Sequence, residues 1–502
     1  MKFLAVRAIA WLAPLLALHA APAQAEWLRA ESDSFVVYSS GSLERLRERT
    51  AMLEEFDQLL RALTATRSEP APRKLVVYLV PNGFQLQQIN PVGSFAAGFY
   101  SATPDTILAV VNESANRGLF ENQVLFHEYA HHFMLRYHPA GYPLWFVEGF
   151  AEYVMTARIA PDRIEYGNYN QVRASWLADR MDWLPYEDLV FGDPSRLGGA
   201  RFYAQSWLLV HYLLSDAGRQ ARFADYLARI GRGEDRRQAF AAAMGIQPRG
   251  LQGILISYAQ RIPYHRLERA AAPATTNMRV ERLPASANDL LLHAAALELG
   301  VRERDREGTL NRVRRIAARH RDAYAQRVLA RAELLYGDPA AADRLLDALL
   351  AASPSDAELL YLKGLRHLIS GQRDAATRVD QYRTAQLLLA RAHRADPDHY
   401  PTLFRYAESL SLGPRFLTEN TQNILLLAVH LAPQVAQIRV SAAHLLLLRE
   451  QYEQAEAVLL PLTSTVHEQK GTHRVRELLR LARARQRPPD GNVFAPLSDD
   501  DR

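Results

Sequence analysis

Apolar positions follow two different periods along the chain. In the first part, four short runs rich in β-branched and aromatic residues predict strands, at residues 35–38, 74–80, 96–100 and 106–111. Between the first two runs, apolar residues recur every three or four positions after Ser42, a residue type that favours helix N-termini. Over residues 26–118 the pattern therefore predicts a small α/β unit, in which a β-α-β arrangement is followed by a hairpin.

The pattern is mainly helical from residue 119 onward. The spacing predicts helices at about 120–137, 144–158 and 202–214, within a segment that extends to residue 270. Three further segments follow from composition: a linker rich in Ala, Pro and Thr at 271–285, an Ala/Leu/Arg-rich helical region at 286–485, and a proline-rich, then acidic tail at 486–502 that is predicted to be disordered.

Weak internal repetition marks the helical region 286–485. A helix end followed by proline recurs at Pro354, Pro397 and Pro433, and residues 451–457 resemble the start of the second helix of a tetratricopeptide repeat. The proline spacings of 43 and 36 residues fit the 34-residue period of that repeat only with insertions. We predict a degenerate array of tetratricopeptide-like (TPR-like) repeats that binds a protein partner, with an unrelated helical bundle as the alternative.

The first 25 residues have the composition of an export signal. Lys2 and Arg7 precede an apolar stretch at 8–21, and Ala23-Gln24-Ala25 forms a small-x-small cleavage site. We predict a signal peptide at 1–25 and a periplasmic or secreted chain with no integral membrane segment after cleavage. An uncleaved N-terminal anchor is the alternative.

Composition narrows the range of possible functions. The chain has 502 residues, which predicts two or three domains, and it contains no cysteine. The lack of cysteine excludes disulfide scaffolds, cysteine proteases and thiolate-ligated metal sites. The formal net charge is +5, but acidic and basic residues are interleaved, so we predict no nucleic-acid partner. The sequence also contains no phosphate-binding glycine loop and no nucleophile elbow.

One motif carries the candidate chemistry. Residues 127–131 read His-Glu-Tyr-Ala-His, which is H-E-x-x-H. On a helix, His127 and His131 project from one face, so both can bind a single Zn²⁺. Glu128 lies about 100° around the helix, near the metal, where it can take a proton from zinc-bound water. A pair of surface histidines is the alternative, but the apolar flanks favour a buried site in which a metal compensates the glutamate.

A catalytic zinc has three protein ligands and one open position. Glu148 and Glu152 follow His131 by 17 and 21 residues and lie one turn apart on the next predicted helix. Glu148 is the candidate third ligand, with an exposed helix carboxylate as the alternative; Glu152 can hydrogen-bond a ligating histidine or be the third ligand instead. Gly149 within this helix costs about 1 kcal/mol relative to alanine, which indicates that another helix approaches closely there.

The two segments together resemble a known family. H-E-x-x-H followed by W-x-x-E-G-x-A-x-Y, here at 145–153, resembles the signature of gluzincin zinc metallopeptidases, the aminopeptidase-N-like group. The resemblance is strong over 125–153 and extends more weakly over about 90–215. It implies an α+β zincin-like metallopeptidase domain. It also implies specific roles: zinc ligands at His127, His131 and Glu148, and a general base at Glu128.

The resemblance further implies a donor that stabilises the transition state. In the family, a tyrosine well downstream of the ligand glutamate has this role, and Tyr203 is the candidate here. His211 lies two helical turns later on the same face; the alternatives are a core tyrosine at position 203 and a half-buried structural histidine at position 211. Family aminopeptidases also carry a Gly-x-Met-x-Asn strand, which residues 93–99 lack. This difference favours endopeptidase over aminopeptidase activity.

The predicted architecture is thus an α+β zincin-like metallopeptidase domain followed by an all-α TPR-like domain. The predicted function is hydrolysis of peptide bonds in a peptide or protein substrate by an exported, zinc-dependent peptidase. Two alternatives remain open. One is a scaffold protein whose zinc site is structural or catalytically silent, and the other is a zinc hydrolase that acts on a different substrate.

Overall fold

A computed structural model describes the chain over residues 26–92, 97–115, 122–179, 182–192, 199–268, 277–414, 416–464, 472–489 and 491–497. The predicted signal peptide at 1–25 lies outside the described residues, as does part of the predicted linker. The described chain is mostly helical with a smaller N-terminal sheet region, as the sequence predicts. Among the described residues, no helix is both long and apolar enough to cross a membrane.

The described strands form two sheets. The larger sheet has the order β4-β5-β3-β2-β1-β9 and the smaller has the order β6-β7-β8. β2, β3 and β5 are mutually parallel, whereas β4 is antiparallel to β5 and forms one edge of the larger sheet. The strands are β1 (Leu28–Glu31), β2 (Phe35–Ser39), β3 (Leu75–Val80), β4 (Gly98–Ala102), β5 (Ile107–Asn112), β6 (Arg158–Ile159), β7 (Arg163–Tyr166), β8 (His265–Glu268) and β9 (Arg279–Arg282).

Ten α-helices lie in the first part of the described chain. They are α1 (Leu43–Thr64), α2 (Gly83–Ile89), α3 (Gln123–Tyr137), α4 (Leu144–Val154), α5 (Gln171–Ser175), α6 (Tyr186–Phe191), α7 (Gly199–Leu214), α8 (Ala217–Gly231), α9 (Arg236–Met244) and α10 (Pro248–Tyr258). The predicted β-α-β unit and hairpin are confirmed as β2-α1-β3 and β4-β5. Ser42 caps α1, because its Oγ accepts a hydrogen bond from the backbone N–H of Arg45 at 3.2 Å.

The larger sheet is covered on both faces, which explains why its central strands are apolar at nearly every position. One face, which includes Phe35, Val37 and Val77, packs against α1, α3, α4 and α7. The opposite face, which includes Tyr78 and Val110, packs against α2 and against a helix of the C-terminal region, α11 (Ala287–Leu299). Because α11 is the first helix of the C-terminal region, the sheet and the start of that region share one apolar cluster.

The C-terminal region contains successive helices that pack mainly against their neighbours in sequence, as helical repeats do. Pro354, Pro397 and Pro433 each lie in a turn that separates one helix pair from the next, which confirms the predicted helix-pair organisation. The helices are α11 (Ala287–Leu299), α12 (Arg306–Ala317), α13 (Ala323–Tyr336), α14 (Pro339–Ala352), α15 (Ala357–Arg373), α16 (Arg378–Ala395), α17 (Tyr400–Ser409), α18 (Glu419–Leu431), α19 (Ala436–Leu448), α20 (Tyr452–Leu459) and α21 (Thr472–Arg483).

Part of the predicted linker 271–285 is a strand. β9, at 279–282, pairs antiparallel with β1 and extends the larger sheet. Arg29 on β1 donates a hydrogen bond to Glu281 on β9 at 3.1 Å. The linker prediction failed here because a four-residue edge strand with three charged residues has almost no apolar periodicity. Whether such a segment forms a strand depends on its pairing with a neighbouring strand.

The predicted disordered tail 486–502 is also corrected in part. Residues 491–497 pack against the repeat helices, and the side chains of Val493 and Phe494 are only 2% and 6% exposed. These two side chains join an apolar cluster of the repeat helices, and Gln437 and Ser441 bond the main chain of the segment, although its overall composition is polar and proline-rich. Residues 498–502 lie outside the described part of the chain.

Gly149 lies where α4 and α7 pack closely together. A Cβ atom at this position would lie 2.4 Å from the carbonyl oxygen of Ser206 and 2.6 Å from Cγ2 of Val210. The close helix approach that the sequence predicts at Gly149 is therefore confirmed. Because α4 carries Glu148 and α7 carries Tyr203, this contact sets the separation of two candidate site residues.

We predict that Gly149→Ala destabilises the protein, because the added methyl group must displace the backbone of α7. The expected loss is about 1–3 kcal/mol in the free energy of unfolding, measured by chemical denaturation. Gly253→Ala in α10 is the matched control, because a Cβ atom there meets nothing within 4 Å. The control is expected to be neutral or stabilising. Equal stability of the two variants would contradict the close packing of α4 and α7.

Candidate metal centre

Helix α3 carries the H-E-x-x-H motif, and the face of α3 opposite the two motif histidines packs on α1. Tyr129 donates a hydrogen bond to Oδ1 of Asp57 at 2.5 Å, and Arg61 donates to Oδ2 of the same carboxylate at 2.5 Å. Phe126 stacks on Phe56 with ring centroids 3.9 Å apart. Residues 126, 129 and 133 therefore face α1 and the sheet, and the helical period places residues 127 and 131 on the opposite face.

Three ligand-type atoms converge between α3 and α4. Nε2 of His127 lies 3.1 Å from Nε2 of His131, and Oε2 of Glu148 lies 3.4 and 3.5 Å from these two nitrogen atoms. Ligand atoms bound at about 2.0–2.1 Å to a tetrahedral zinc ion lie about 3.3–3.4 Å apart. The observed edges of 3.1, 3.4 and 3.5 Å are close to this spacing, so the three residues could hold a metal ion.

Glu152 is placed differently from Glu148. Its Oε1 lies 3.5 Å from Nδ1 of His127, on the side of the ring away from Glu148. Both of its carboxylate oxygens accept hydrogen bonds from Arg173 on α5, at 2.7 and 2.6 Å. The two carboxylates are thus placed differently: Oε2 of Glu148 lies near the Nε2 atoms of both histidines, whereas Oε1 of Glu152 lies on the Nδ1 side of His127.

Arg173 was not predicted as part of the site. The sequence holds one indirect signal for it, which is that two glutamates on an apolar helix need a cation nearby. That signal does not indicate which arginine is involved, because Arg173 is separated from Glu152 by a turn and two strands.

Glu128 lies next to the three converging atoms and is nearly buried. Its Oε2 has no hydrogen-bond partner among the described residues, whereas the backbone N–H of Tyr100 on β4 donates to the carboxylate. Burial raises the pKa of Glu128, and the nearby histidines only partly offset this effect. The carboxylate therefore has the raised basicity and the available oxygen atom that a general base requires.

The charges of this cluster do not balance. Glu128, Glu148 and Glu152 are buried carboxylates, and Arg173 is the cation that directly contacts one of them. Burial lowers the pKa of His127, but Glu148, Glu152 and Glu128 outweigh this effect and raise the pKa to about 9. The cluster therefore takes up positive charge, and a divalent cation between the histidines and Glu148 would supply it.

Tyr203 on α7 lies beside the cluster. Its ring centroid is 6.5 Å from that of His127, and the guanidinium of Arg173 lies 5.1 Å from the Tyr203 ring. Burial, together with Glu148 and Glu152, raises the pKa of Tyr203 above its ordinary value. The phenol therefore stays protonated and can donate a hydrogen bond.

His211 lies farther along α7 and belongs to the protein core. Its Nε2 contacts the carbonyl oxygen of Gly167 at 2.8 Å, and its Nδ1 contacts the hydroxyl of Tyr258 at 2.7 Å. Burial lowers the pKa of His211 to about 4. The interpretation of His211 as a structural histidine is therefore confirmed.

β4 runs next to the cluster as the edge strand of the larger sheet. The backbone N–H of Asn112 donates to the carbonyl of Ala97, and the backbone N–H of Thr103 donates to the carbonyl of Thr106, both at 2.8 Å. In the observed register, the main-chain N–H and C=O groups that point toward β5 are therefore those of residues 97, 99, 101 and 103. The main-chain groups of Gly98, Tyr100 and Ala102 consequently point away from β5, and the N–H of Tyr100 reaches Glu128.

Comparisons with known proteins add little to this geometry. No family model matches the chain, and no curated protein matches it. The chain is similar to the crystal structure of a thermophilic TPR protein from Thermus thermophilus, at 18% sequence identity and a TM-score of 0.32. That match covers 40% of this chain and 98% of the other, and it does not bear on the metal centre.

We predict a specific pH dependence of stability for the metal-free protein. The pKa of His127 is raised from 6.5 to about 9 in the folded chain, so its stabilising contribution is complete below pH 6.5 and is lost as pH rises toward 9. The difference in free energy of unfolding between wild type and His127→Gln, measured with a chelator present, should shrink over this range.

His211→Gln is the control for this experiment. The pKa of His211 is lowered to about 4, so its contribution does not change in the alkaline range. A difference between wild type and His127→Gln that stays constant up to pH 9 would contradict the charge coupling in the cluster.

Proposed function

We propose that the protein is a zinc-dependent peptidase of the gluzincin type, with a zincin-like N-terminal domain. One observation supports this most strongly: Nε2 of His127, Nε2 of His131 and Oε2 of Glu148 form a triangle with edges of 3.1, 3.4 and 3.5 Å, beside the carboxylate of Glu128. A purely structural zinc site is closed and needs no adjacent base, whereas a hydrolytic site needs one.

His127, His131 and Glu148 would hold the zinc ion, and Glu152 would fix the orientation of the His127 ring. When bound, zinc supplies a Lewis acid that polarises the scissile carbonyl group and acidifies a water molecule. The two nitrogen atoms and one carboxylate oxygen are ligands that zinc prefers. Glu152 is in turn held by Arg173, so the orientation of His127 depends on a charge pair that is itself mostly buried.

Glu128 moves the proton in this proposal. Its free Oε2 accepts a proton from the attacking water and then transfers it to the nitrogen atom of the leaving amine. The backbone N–H of Tyr100 donates to the same carboxylate and helps to hold it in place. Tyr203, protonated and next to the cluster, donates a hydrogen bond to the carbonyl oxygen as negative charge develops on it.

The edge strand β4 provides the substrate-binding element of the proposal. An extended peptide can pair with the outward-facing main-chain groups of β4 at Gly98, two residues before Tyr100. Such pairing depends on the main chain and tolerates varied sequences. Because the amine-binding motif of the family aminopeptidases is missing from residues 93–99, we propose cleavage within a chain rather than at its N-terminus.

Export through the signal at 1–25 and binding of a protein partner by the repeat helices remain part of this proposal. If the zinc site is silent, the repeat helices would instead be the functional part of a scaffold protein. An assay of peptide cleavage distinguishes a peptidase from a scaffold protein, because a scaffold does not need the carboxylate of Glu128.

We predict that Glu128→Gln abolishes peptide cleavage while zinc content stays at the wild-type level. Loss of the general base should lower the cleavage rate at least about 100-fold. Cleavage of an unfolded protein mixture, followed by mass spectrometry of the products, measures this loss. Glu48→Gln, an exposed substitution of the same type on α1, is the control. Zinc-loaded wild type that cleaves no peptide would favour the scaffold function instead.

We also predict that Tyr203→Phe lowers kcat about 10²–10³-fold with little change in KM or zinc content, because it removes one donor to the developing oxyanion. Tyr212→Phe on the same helix is the control, since that ring packs under Arg219 away from the cluster. Steady-state kinetics on a peptide found in the cleavage screen measures both constants. An unchanged kcat in Tyr203→Phe would leave Tyr203 as a core residue only.

A further inference from the structure

The turn of the β4-β5 hairpin is held by side chains of the repeat helices. Tyr400 on α17 donates a hydrogen bond to the carbonyl of Thr103 at 3.1 Å. Tyr361 on α15 donates to Oδ1 of Asp105, and Arg405 on α17 donates to Oδ2 of the same carboxylate at 3.2 Å. Three side chains from two repeat helices therefore bind one short turn of the sheet.

The three side chains are themselves fixed within the repeats. Arg405 also donates to Glu408 at 3.0 Å, and Glu408 accepts a hydrogen bond from Gln372 on α15 at 2.7 Å. Tyr361 and Tyr400 are buried. A buried hydroxyl that lost its partner in the hairpin would be left unsatisfied, which is costly, so these bonds favour one position of the turn.

Apolar packing alone does not fix this turn. Ala102, the last residue of β4, packs in an apolar cluster with residues of α17, α18 and α19. Next to the turn, however, Asp105 borders two cavities of about 270 and about 330 Å³. Because this space is not filled by side chains, the position of the turn depends on its hydrogen bonds and on the ion pair between Asp105 and Arg405.

Strand β4 connects the turn to the metal centre. Tyr100 lies on this strand, and its backbone N–H donates to the carboxylate of Glu128. The hydroxyl of Tyr100 lies 3.3 Å from Nδ1 of His132 on α3. The backbone between Tyr100 and the turn is extended and paired with β5. A shift of the turn would therefore move the N–H of Tyr100 relative to Glu128.

The repeat helices also hold α3, which carries Glu128. Arg136 in the last turn of α3 donates a hydrogen bond to the carbonyl of His430 at 2.7 Å. His430 lies at the C-terminal end of α18, where backbone carbonyls without a partner in the helix attract a cation. Both elements that form the bond between Tyr100 and Glu128 are thus bound to the repeat helices, at separate points.

We propose that Tyr361, Tyr400 and Arg405 are positioning residues. Through the turn and β4, they hold the backbone N–H of Tyr100 on Glu128, so the repeat helices complete the metal centre of the same chain. This role is separate from the binding of a protein partner by the repeats. That the position of Glu128 matters for peptide cleavage rests on the proposed function; the holding of Tyr100 by the repeats does not.

Hydrogen exchange of the Tyr100 amide tests this holding without any assay of activity. The full-length chain with Tyr361→Phe and Tyr400→Phe keeps both rings and loses only the two hydroxyls. Exchange is measured by mass spectrometry with fragmentation to single amides. We expect the Tyr100 amide to exchange at least about tenfold faster than in wild type. The amides of Phe99 and Ser101 face β5 and should be unchanged, which shows that the hairpin is intact.

Tyr336→Phe is the matched control. It removes a tyrosine hydroxyl that accepts a hydrogen bond from the backbone N–H of Val301 at 2.9 Å, so both partners lie within the C-terminal helical region. The control should leave exchange of the Tyr100 amide at the wild-type rate.

A second variant approaches the same contact from the hairpin. Asp105→Ala removes the carboxylate that Tyr361 and Arg405 bind, and it should also accelerate exchange of the Tyr100 amide. Adding Tyr361→Phe to Asp105→Ala should have little further effect, because the partner of that hydroxyl is already missing. Additive effects of the two substitutions would show that Tyr361 does not act through Asp105.

Steady-state kinetics tests whether this position matters for cleavage. For the variant with Tyr361→Phe and Tyr400→Phe, we expect kcat per bound zinc ion to fall about tenfold, because Glu128 is less precisely placed. KM should change little, since Gly98, where the substrate would pair, lies at the end of β4 away from the turn. Expressing kcat per bound zinc ion separates this effect from a loss of folded protein.

Equal exchange rates of the Tyr100 amide in wild type and in the variant without the two hydroxyls would overturn the proposal. Faster exchange together with an unchanged kcat would overturn the positioning role in catalysis. Faster exchange in a protein whose wild type cleaves no peptide would support the holding of Tyr100 by the repeats and would remove the proposed peptidase function, so the two failures are distinguishable.

Discussion

The burial of three carboxylates around two histidines is the constraint on which the candidate site depends. Glu128, Glu148 and Glu152 all lie inside the protein, and Arg173 directly contacts Glu152. Such a cluster is costly unless further positive charge is present, because each uncompensated carboxylate loses its hydration. Protonation of His127 supplies part of this charge in the metal-free chain. A divalent cation would supply more, and it would do so at the point where the three ligand-type atoms converge.

The surrounding fold holds these groups at fixed distances. Tyr129 and Asp57 fix α3 on α1, and Gly149 allows α7 to approach α4. The larger sheet is completed by residues that follow the predicted peptidase domain at 26–270. β9 extends its edge, and α11 covers one of its faces. The repeat helices consequently contact the hairpin that carries the edge strand.

Much of the site could be predicted from local sequence, because its ligands are close together along the chain. The i, i+4 spacing of His127 and His131 already determines that they share a face, and Gly149 indicated the helix crossing. Arg173 and β9 could not be predicted, since each is specified by a partner distant in sequence. The ordered segment at 491–497 was missed for a related reason: two apolar residues in a polar run gain their stability from a groove that only the fold creates.

The zinc content of the purified protein tests the central claim most directly. We expect about one zinc ion per chain after dialysis against buffer free of added metal, measured by elemental analysis of wild type. His131→Ala and Glu148→Ala should lose the ion, whereas Glu48→Gln should keep it. A wild-type chain that neither contains zinc nor takes it up when zinc is added would contradict the claim that these residues form a metal centre.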